Sequence, residues 1–246
     1  MNIFVTGGSR GIGRSIVLKM VKEGWNAAFS YRSNEKEAEK TISLAADINS
    51  DATVTSHKLD VREPDEVDDV ISSIIDGFGT VHAVVNNAGM VRDNAAALMS
   101  NEEWDEVIAA NLSGPFYVIR AFLMHFVGVR GGRIINISSL AQEGSSGQIN
   151  YAASKAGLIG LTKTLAREYG PKGISCNIVT VGLVETDMVR NHMAGELSKI
   201  WLKYCPMKRV GTADEISSLV HYLTLPEAGF INGEVIRVSG GLTYIP

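Results

Sequence analysis

Short apolar runs rich in β-branched residues alternate along this chain with longer amphipathic stretches. Several short runs are apolar at successive positions, which is typical of parallel strands buried on both faces. The predicted strands are Ile3–Thr6, Asn26–Tyr31, Ala52–Leu59, Ala83–Asn86, Arg133–Ser138, Ser175–Thr180 and Glu234–Val238. This β-α-β-α order predicts an α/β fold, a doubly wound, seven-stranded parallel sheet with helices on both faces. No linker or repeat interrupts it, so we expect a single Rossmann-like domain over residues 1–246.

Two of the helical stretches carry start signals. Ser100 with Glu103, and Thr212 with Glu215, have the spacing of capping boxes. Pro64 lies where the first turn of a helix tolerates proline. These positions predict where three of the helices begin.

Composition narrows the class of protein. The 246 residues are 45% hydrophobic and carry a formal net charge of −4, which gives no general attraction to nucleic acid or anionic membranes. Two cysteines are too few for a disulfide framework. Five histidines are scattered without ligand spacing, so we expect no metal site. No leader-like segment opens the sequence, and we expect a cytoplasmic protein.

A glycine-rich loop follows the first predicted strand and precedes a helix. It reads Thr6-Gly7-Gly8-Ser9-Arg10-Gly11-Ile12-Gly13. Without Cβ atoms, backbone N–H groups can approach a pyrophosphate at a helix N-terminus. The spacing differs from G-x-G-x-x-G, and a glycine loop alone can be merely a turn. Its place between strand and helix favours a dinucleotide site.

The residues after the second strand bear on the choice of cofactor. An NAD enzyme usually places an acidic residue there to bind the ribose hydroxyls. This chain has Arg32, and Arg10 in the loop can reach the same 2′-phosphate, which favours NADP(H). Glu35 lies close enough to keep NAD as an alternative, and both arginines could be ordinary solvated side chains.

Two further segments are expected to lie along the nucleotide. Asp60 and Val61, past the third strand, could flank the adenine. Asn87, Ala88 and Gly89 follow the fourth strand, where small residues allow close contact with the cofactor.

Tyr151 and Lys155 are four residues apart in a predicted helix, so both side chains share one face. A phenol is a poor acid at neutral pH, and a neighbouring ammonium is expected to lower its pKa towards the working range. Ser139 ends the preceding strand and can bind a carbonyl oxygen, with Ser138 as an adjacent rival. Asn111 interrupts a helical run, either as a bending residue or as an anchor for a proton relay.

Taken together, these motifs resemble those of the classical short-chain dehydrogenase/reductase family over essentially the whole chain. Within it the sequence is most similar to 3-oxoacyl-acyl-carrier-protein reductases. The resemblance implies that Asn111, Ser139, Tyr151 and Lys155 are catalytic. It further implies that Lys155 holds the nicotinamide ribose and that Thr186 lies near the nicotinamide amide.

The cofactor contacts expected from motifs and resemblance together are Gly7, Ser9, Arg10, Gly11, Ile12, Gly13, Arg32, Asp60, Val61, Asn87, Ala88, Gly89, Ile137, Tyr151, Lys155, Gly182 and Thr186. The resemblance also implies a homotetramer. Arg130 and Lys172 fall where such enzymes carry a basic patch for the acyl carrier protein.

The sequence departs from the family pattern at three places. Val181-Gly182 replaces the usual Pro-Gly pair, which is expected to loosen the turn beside the nicotinamide. Ser239 replaces a common aspartate. The loop from Ser139 to Tyr151 is one residue shorter than in many relatives, which bears on the choice between the two serines.

The leading hypothesis is NADPH-dependent reduction of a 3-oxoacyl thioester on acyl carrier protein, in fatty-acid, polyketide or polyene synthesis. A coenzyme A thioester or a free small ketone or alcohol is the alternative substrate. A cofactor-binding scaffold without chemistry is a third reading, against which Tyr151, Lys155 and Asn111 argue.

Overall fold

A computed structural model describes residues 1–185 and 196–245 of the chain. The strands are β1 (Asn2–Val5), β2 (Asn26–Tyr31), β3 (Val54–Lys58), β4 (Ala83–Asn86), β5 (Gly132–Ser139), β6 (Ile174–Val181) and β7 (Val235–Val238). The helices are α1 (Gly11–Lys22), α2 (Glu35–Ile48), α3 (Pro64–Phe78), α4 (Asn101–Ile108), α5 (Gly114–Gly128), α6 (Ile149–Tyr169), α7 (Glu196–Tyr204) and α8 (Ala213–Thr224).

The seven strands form one parallel sheet in the order β3-β2-β1-β4-β5-β6-β7. This confirms the predicted fold class. The order reverses between β1 and β4, and in such sheets ligands bind outside the carboxyl ends of the strands at that point. The glycine loop leaves β1 there, and residues 87–89 leave β4 beside it.

Apolar residues fill successive strand positions because both faces of the sheet are covered. Val84 and Ile134 belong to a buried cluster with α3 and α5, whereas their neighbours Val85 and Ile135 belong to one with α1 and α8. Successive side chains of a strand point to opposite faces, so each face receives every second residue. The continuous runs in the sequence are the mark of this double burial.

The strand bounds differ slightly from those predicted. β3 is shorter than Ala52–Leu59 because residues 50–52 form a turn, while the Thr53 carbonyl accepts from the Ala27 amide at 2.9 Å. β5 and β6 each extend by one residue at both ends, where Gly132 pairs with Ile174 and Ser139 with Val181. These two strands are the longest of the sheet and carry the chemical candidates at their carboxyl ends.

The predicted helix starts are confirmed. At α4 the Glu103 amide donates to Ser100 Oγ at 3.1 Å, and the Ser100 amide donates to Glu103 Oε2 at 2.9 Å. Thr212 and Glu215 form the same reciprocal box at α8. Pro64 occupies the first turn of α3. Each box satisfies donors that the first turn of a helix leaves without partners.

The stretch Asn101–Gly128 is long and apolar enough to span a membrane by length and composition alone. Within it, however, Val118, Ile119, Phe122 and Phe126 are fully buried against α3 and the sheet. This pattern is that of a core helix in a globular protein.

Candidate active site

The glycine loop is folded in a way that only glycine allows at two positions. Gly7 has a φ of +67°, a left-handed conformation that side chains disfavour. A Cβ atom at Gly13 would lie 2.1 Å from the Gly7 carbonyl oxygen, so α1 starts directly against the loop. The start of α1 therefore offers the close backbone approach that a pyrophosphate requires.

Asn87 and Thr6 tie this loop to the end of β4. The amides of Asn87 and Ala88 both donate to Thr6 Oγ1 at 3.0 Å. Asn87 Nδ2 donates to the carbonyls of Thr6 and Gly7 at 3.0 and 3.1 Å. The Asn87 side chain, predicted as a cofactor contact, is thus engaged in shaping the glycine loop.

Charged side chains surround the far end of the loop. Arg10 and Arg32 are both exposed, and Arg32 contributes to lowering the pKa of the Asp60 carboxyl. Arg62 is the larger cause, because its guanidinium donates to Asp60 Oδ2 at 2.6 Å. Burial raises the pKa of the Tyr31 phenol, and the charge of Glu35, the residue that kept NAD as an alternative, adds to that rise.

The remaining nucleotide candidates form the walls of this region. The Ser9 carbonyl accepts from the Arg14 guanidinium and from Thr41 Oγ1, so Ser9 and its neighbours Gly11 and Ile12 are held at the start of α1. Val61 is buried against Gly114. Thr186 lies outside the described residues.

Tyr151 and Lys155 lie on one face of α6, as the spacing predicted. Lys155 is 5% exposed, and its ammonium is 5.6 Å from the centre of the Tyr151 ring. Lys155 Nζ donates to the Ile137 carbonyl at 2.9 Å, so the lysine spans from α6 to β5. A Cβ atom at Gly89 would come within 3.7 Å of the same nitrogen. The end of β4 therefore meets the Tyr151–Lys155 face.

Burial dominates the electrostatics of this pair. It lowers the pKa of Lys155 to about 8 and raises the pKa of the Tyr151 phenol. A hydrogen bond from Ser139 opposes the rise for Tyr151, while the charge of Asp93 adds to it. The expectation that the ammonium lowers the phenol pKa is therefore wrong: desolvation of the phenolate is the larger effect.

The two adjacent serines have different partners. Ser139 Oγ accepts from the Ala141 amide at 3.2 Å, and Ser139 counters the effect of burial on the pKa of the Tyr151 phenol. Ser138 Oγ is buried and donates to Gln142 Oε1 at 2.8 Å. Ser138 Oγ also lies 3.4 Å from the Lys155 carbonyl, so it is enclosed between β5 and α6, whereas Ser139 is partly exposed at the end of the strand. The geometry favours Ser139 as the serine beside a bound carbonyl.

Asn111 is fully buried in a turn of π-helix, Ala109–Ser113, between α4 and α5. Its side-chain amide exchanges two hydrogen bonds of 2.8 Å with the backbone of Met90. Asn111 Nδ2 also contacts Ser154 Oγ at 3.3 Å. The residue therefore clamps the loop after β4 to α6, and its widened turn is a feature that often marks functional sites.

Two residues of the site were not predicted. Asn150 is fully buried and donates through Nδ2 to the carbonyls of Arg92 and Glu103, both at 3.0 Å, while its Oδ1 accepts from the Tyr151 amide at 2.7 Å. The other is Gln142, in the 3₁₀ turn Leu140–Glu143 that follows Ser139. An asparagine directly before a catalytic candidate is the sequence signal that could have found Asn150.

The departures from the family pattern have defined contacts. The Gly182 amide donates to the Val238 carbonyl at 3.0 Å, and a Cβ atom there would lie 2.7 Å from Ser239 Cα. Ser239 Oγ donates to the Leu242 carbonyl at 2.6 Å. The backbone at Gly182 is therefore held against β7, and the loosening relative to a Pro-Gly turn stays a prediction.

Arg130 and Lys172 lie together, away from the chemical candidates. Both line a surface depression with Val127, Pro171 and Gly173 at the amino ends of β5 and β6. Ser139 is at the opposite, carboxyl end of the eight-residue β5. At about 3.3 Å per residue, the length of β5 separates Ser139 from this depression by roughly 25 Å.

Comparisons with known proteins agree with this geometry. A family profile described as enoyl-(acyl carrier protein) reductase matches residues 7–243. The chain is 40% identical over 241 residues to the 3-oxoacyl-[acyl-carrier-protein] reductase FabG of Staphylococcus epidermidis, covering 97% of each protein. It is 40% identical over 246 residues to FabG of Salmonella typhimurium, covering 98% of this chain and 96% of that protein.

Two solved structures are similar to this chain over nearly its whole length. A mutant short-chain dehydrogenase/reductase of Serratia marcescens has a TM-score of 0.91 and 33% identity, with 98% of this chain and 97% of that one covered. Levodione reductase has a TM-score of 0.94 and 29% identity, with 98% and 96% covered.

Proposed function

This chain belongs to the short-chain dehydrogenase/reductase family, and from that premise we propose that it reduces 3-oxoacyl thioesters of acyl carrier protein with NADPH. The reaction converts the 3-oxo group to a hydroxyl in fatty-acid or related polyketide or polyene synthesis. The observation that carries the proposal is the meeting of Tyr151, Lys155 and Ser139 at the carboxyl end of β5.

The cofactor of this family is a nicotinamide dinucleotide, which supplies the hydride when bound. The glycine loop fits such a group, because the space a Cβ atom would fill at Gly13 is needed for the tight loop that precedes α1. A Cβ atom at Gly7 would lie 3.1 Å from Ala88 Cα, so the segment after β4 closes against the same loop.

The chain's own residues handle the substrate oxygen. Ser139 Oγ holds the carbonyl oxygen by a hydrogen bond, and the Tyr151 hydroxyl lies beside it to donate a proton. A raised phenol pKa keeps Tyr151 protonated at neutral pH, which is the form a reduction requires. Proton transfer remains favourable because an alkoxide is far more basic than a phenolate. Lys155 supplies positive charge next to the forming alkoxide and, as the family implies, binds the nicotinamide ribose.

NADPH is preferred in this proposal because two arginines lie where the 2′-phosphate of the cofactor is expected to bind. Arg10 and Arg32 are exposed at the loop and after β2. The residues between β2 and α2 are Arg32, Ser33 and Asn34, and the acidic Glu35 follows only where α2 begins.

The thioester substrate is tested by one assay panel. NADPH oxidation should be fastest with 3-oxoacyl carrier protein, slower with the coenzyme A thioester and slowest with small free ketones. An enoyl thioester belongs in the panel, since the matching family profile is described by enoyl reduction. Faster turnover of the enoyl thioester, or of a free ketone, would overturn the assignment.

We further propose that Arg130 and Lys172 dock the acidic carrier protein. Charge attraction across such a contact raises the association rate and fades with salt. Reversing both charges, Arg130→Glu with Lys172→Glu, should raise KM for a carrier-bound substrate several-fold at low salt. A small free thioester should react normally with the same variant. Unchanged KM on the carrier-bound substrate would rule out this docking surface.

We also propose a cytoplasmic homotetramer. Trp104, Phe116 and Met124 are exposed apolar side chains on α4 and α5, and Met124 is 77% exposed. A second copy of the chain would cover such a face. Cys176 and Cys205 are both free and buried, as suits a reducing compartment. Sedimentation of the purified protein tests the tetramer.

A further inference from the structure

Gln142 belongs to the 3₁₀ turn Leu140–Glu143 that follows Ser139, and its side chain joins the two longest strands of the sheet. Its Oε1 accepts from Ser138 Oγ at 2.8 Å and from Thr180 Oγ1 at 3.2 Å. Ser138 and Thr180 are paired across β5 and β6, so one amide oxygen bridges neighbouring strands just before they end. All three side chains are at most 8% exposed. Buried hydroxyls of this kind depend on their hydrogen-bond partner.

The other end of the amide is fixed as well. Gln142 Nε2 faces Glu143 Oε1 at 3.4 Å, and the same oxygen accepts from the Arg237 guanidinium at 2.8 Å. A carboxylate accepts hydrogen bonds only, so it sets the amide with its nitrogen outward and its oxygen towards the two hydroxyls. The Gln142 side chain therefore has one stable orientation.

This arrangement bears directly on Ser139. Residues Leu140–Glu143 form a 3₁₀ turn that Ser139 caps, with the Ala141 amide donating to Ser139 Oγ. Gln142 follows Ala141, so the bridge to β5 and β6 holds the turn that sets the Ser139 hydroxyl. Ser138 Oγ also lies 3.4 Å from the Lys155 carbonyl, which brings the same bridge to the helix of Tyr151.

We propose that Gln142 is a positioning residue: it holds the Leu140–Glu143 turn so that the Ser139 hydroxyl faces Tyr151. This inference rests on the proposed reduction, in which Ser139 binds the carbonyl oxygen. Gln142 itself touches neither substrate nor cofactor in this assignment, because its amide oxygen already accepts from the hydroxyls of Ser138 and Thr180.

The first test is Gln142→Met, which keeps side-chain length and removes the amide. We expect kcat to fall about tenfold with KM for NADPH within twofold, since displacements of an ångström or less at a reacting group cost this much. Thr162→Val is the matched control. It removes a buried hydrogen bond of 2.9 Å from Asn136 on the same β5 strand, and kcat should stay within twofold.

The second measurement separates positioning from stability. Gln142→Met leaves the hydroxyls of Ser138 and Thr180 without their acceptor, which destabilises the fold. Adding Ser138→Ala and Thr180→Val removes those hydroxyls and should restore the melting temperature without restoring kcat. Full recovery of kcat together with stability would overturn the proposal.

A third measurement needs no substrate. Titrating phenolate absorbance in variants with and without Tyr151→Phe isolates the Tyr151 phenol. In Gln142→Met its pKa should move upwards, because a displaced Ser139 no longer stabilises the phenolate; in Thr162→Val it should stay. An unmoved Tyr151 titration would overturn the role of Gln142. Loss of thioester turnover in the wild type, with this titration shift intact, would instead overturn only the proposed function.

Discussion

The nucleotide end and the chemical end of the site are built from different materials. At the nucleotide end, the site consists of glycine backbone and exposed arginines, and the side chain of Asn87 donates hydrogen bonds to the loop carbonyls. At the chemical end, the site consists of buried side chains. Lys155, Asn111 and Asn150 each connect two or more segments of the chain by hydrogen bonds.

This difference predicts different responses to mutation. Exposed charges at the nucleotide end act through screened attraction, so their loss should weaken cofactor binding by modest factors. Buried groups at the chemical end act where water is excluded, so their loss should change the rate by orders of magnitude. The backbone of the glycine loop is the exception, because a Cβ atom there would displace the loop itself.

The largest effect is expected at Tyr151. Tyr151→Phe removes the proton donor and preserves the ring, so kcat should fall by roughly 10²–10⁴ while NADPH affinity stays within twofold. Single-turnover kinetics and fluorescence titration measure the two quantities. In the same assay, Ser139→Ala should be far more damaging than Ser138→Ala. Near-normal turnover by Tyr151→Phe would make the catalytic assignment wrong.

Gly13→Ala should give the second largest effect and tests the exception. The added methyl would overlap the Gly7 carbonyl, so either α1 or the loop must move. We expect NADPH and NADH affinity to fall together, by about a hundredfold, given that overpacking typically costs 1–3 kcal/mol. Gly128→Ala, where a Cβ atom would meet nothing within 4 Å, is the matched control. Equal behaviour of the two variants would show that the loop tolerates displacement.

The sequence predicted the parts of the molecule that depend on local pattern. Strand positions follow from the pattern of apolar residues. Both capping boxes follow from a hydroxyl residue and a glutamate three positions apart. The pairing of Tyr151 with Lys155 follows from one turn of helix. These features involve neighbours in the chain, which is why they could be read from it directly.

Other features depend on partners distant in sequence and escaped prediction. Gln142 is held by Thr180, 38 residues away, and Asn150 by the carbonyl of Arg92, 58 residues away. The predicted direction of the shift in the Tyr151 pKa was wrong, because helix spacing gives the distance to Lys155 but not the burial of the phenol. Choosing between the two serines also required knowing that Gln142 and the Lys155 carbonyl already engage the Ser138 hydroxyl.

Arg32→Ala tests the nucleotide end of the site, where the charged side chains are exposed to solvent. Losing one well-placed charge pair with a 2′-phosphate should weaken NADPH binding about tenfold, equivalent to about 1.4 kcal/mol, and leave NADH nearly unchanged. Isothermal titration with both cofactors measures this, and the effect should shrink as salt is added. Equal losses for NADPH and NADH would contradict a role in phosphate recognition.

The smallest effect is a pH dependence that sets activity against stability at Lys155. Burial lowers the pKa of this ammonium to about 8 from its usual value near 10.5. As pH rises above about 8 the folded enzyme loses the positive charge, so kcat/KM, which reports the free enzyme, should drop about fourfold by pH 8.5.

Stability should move the other way. Between about pH 8 and 10.5 the unfolded chain still holds the proton that the folded chain has released, so the contribution of Lys155 to the free energy of unfolding rises with pH. Denaturant unfolding of wild type and Lys155→Met across this range measures that contribution as a difference, and Lys163→Met, an exposed lysine of the same helix, is the control. If the wild type and Lys155→Met keep a constant stability difference from pH 8 to pH 10.5, the lysine holds its proton throughout. The chemical end would then carry a permanent buried charge, and the alkaline loss of activity would have to come from another group.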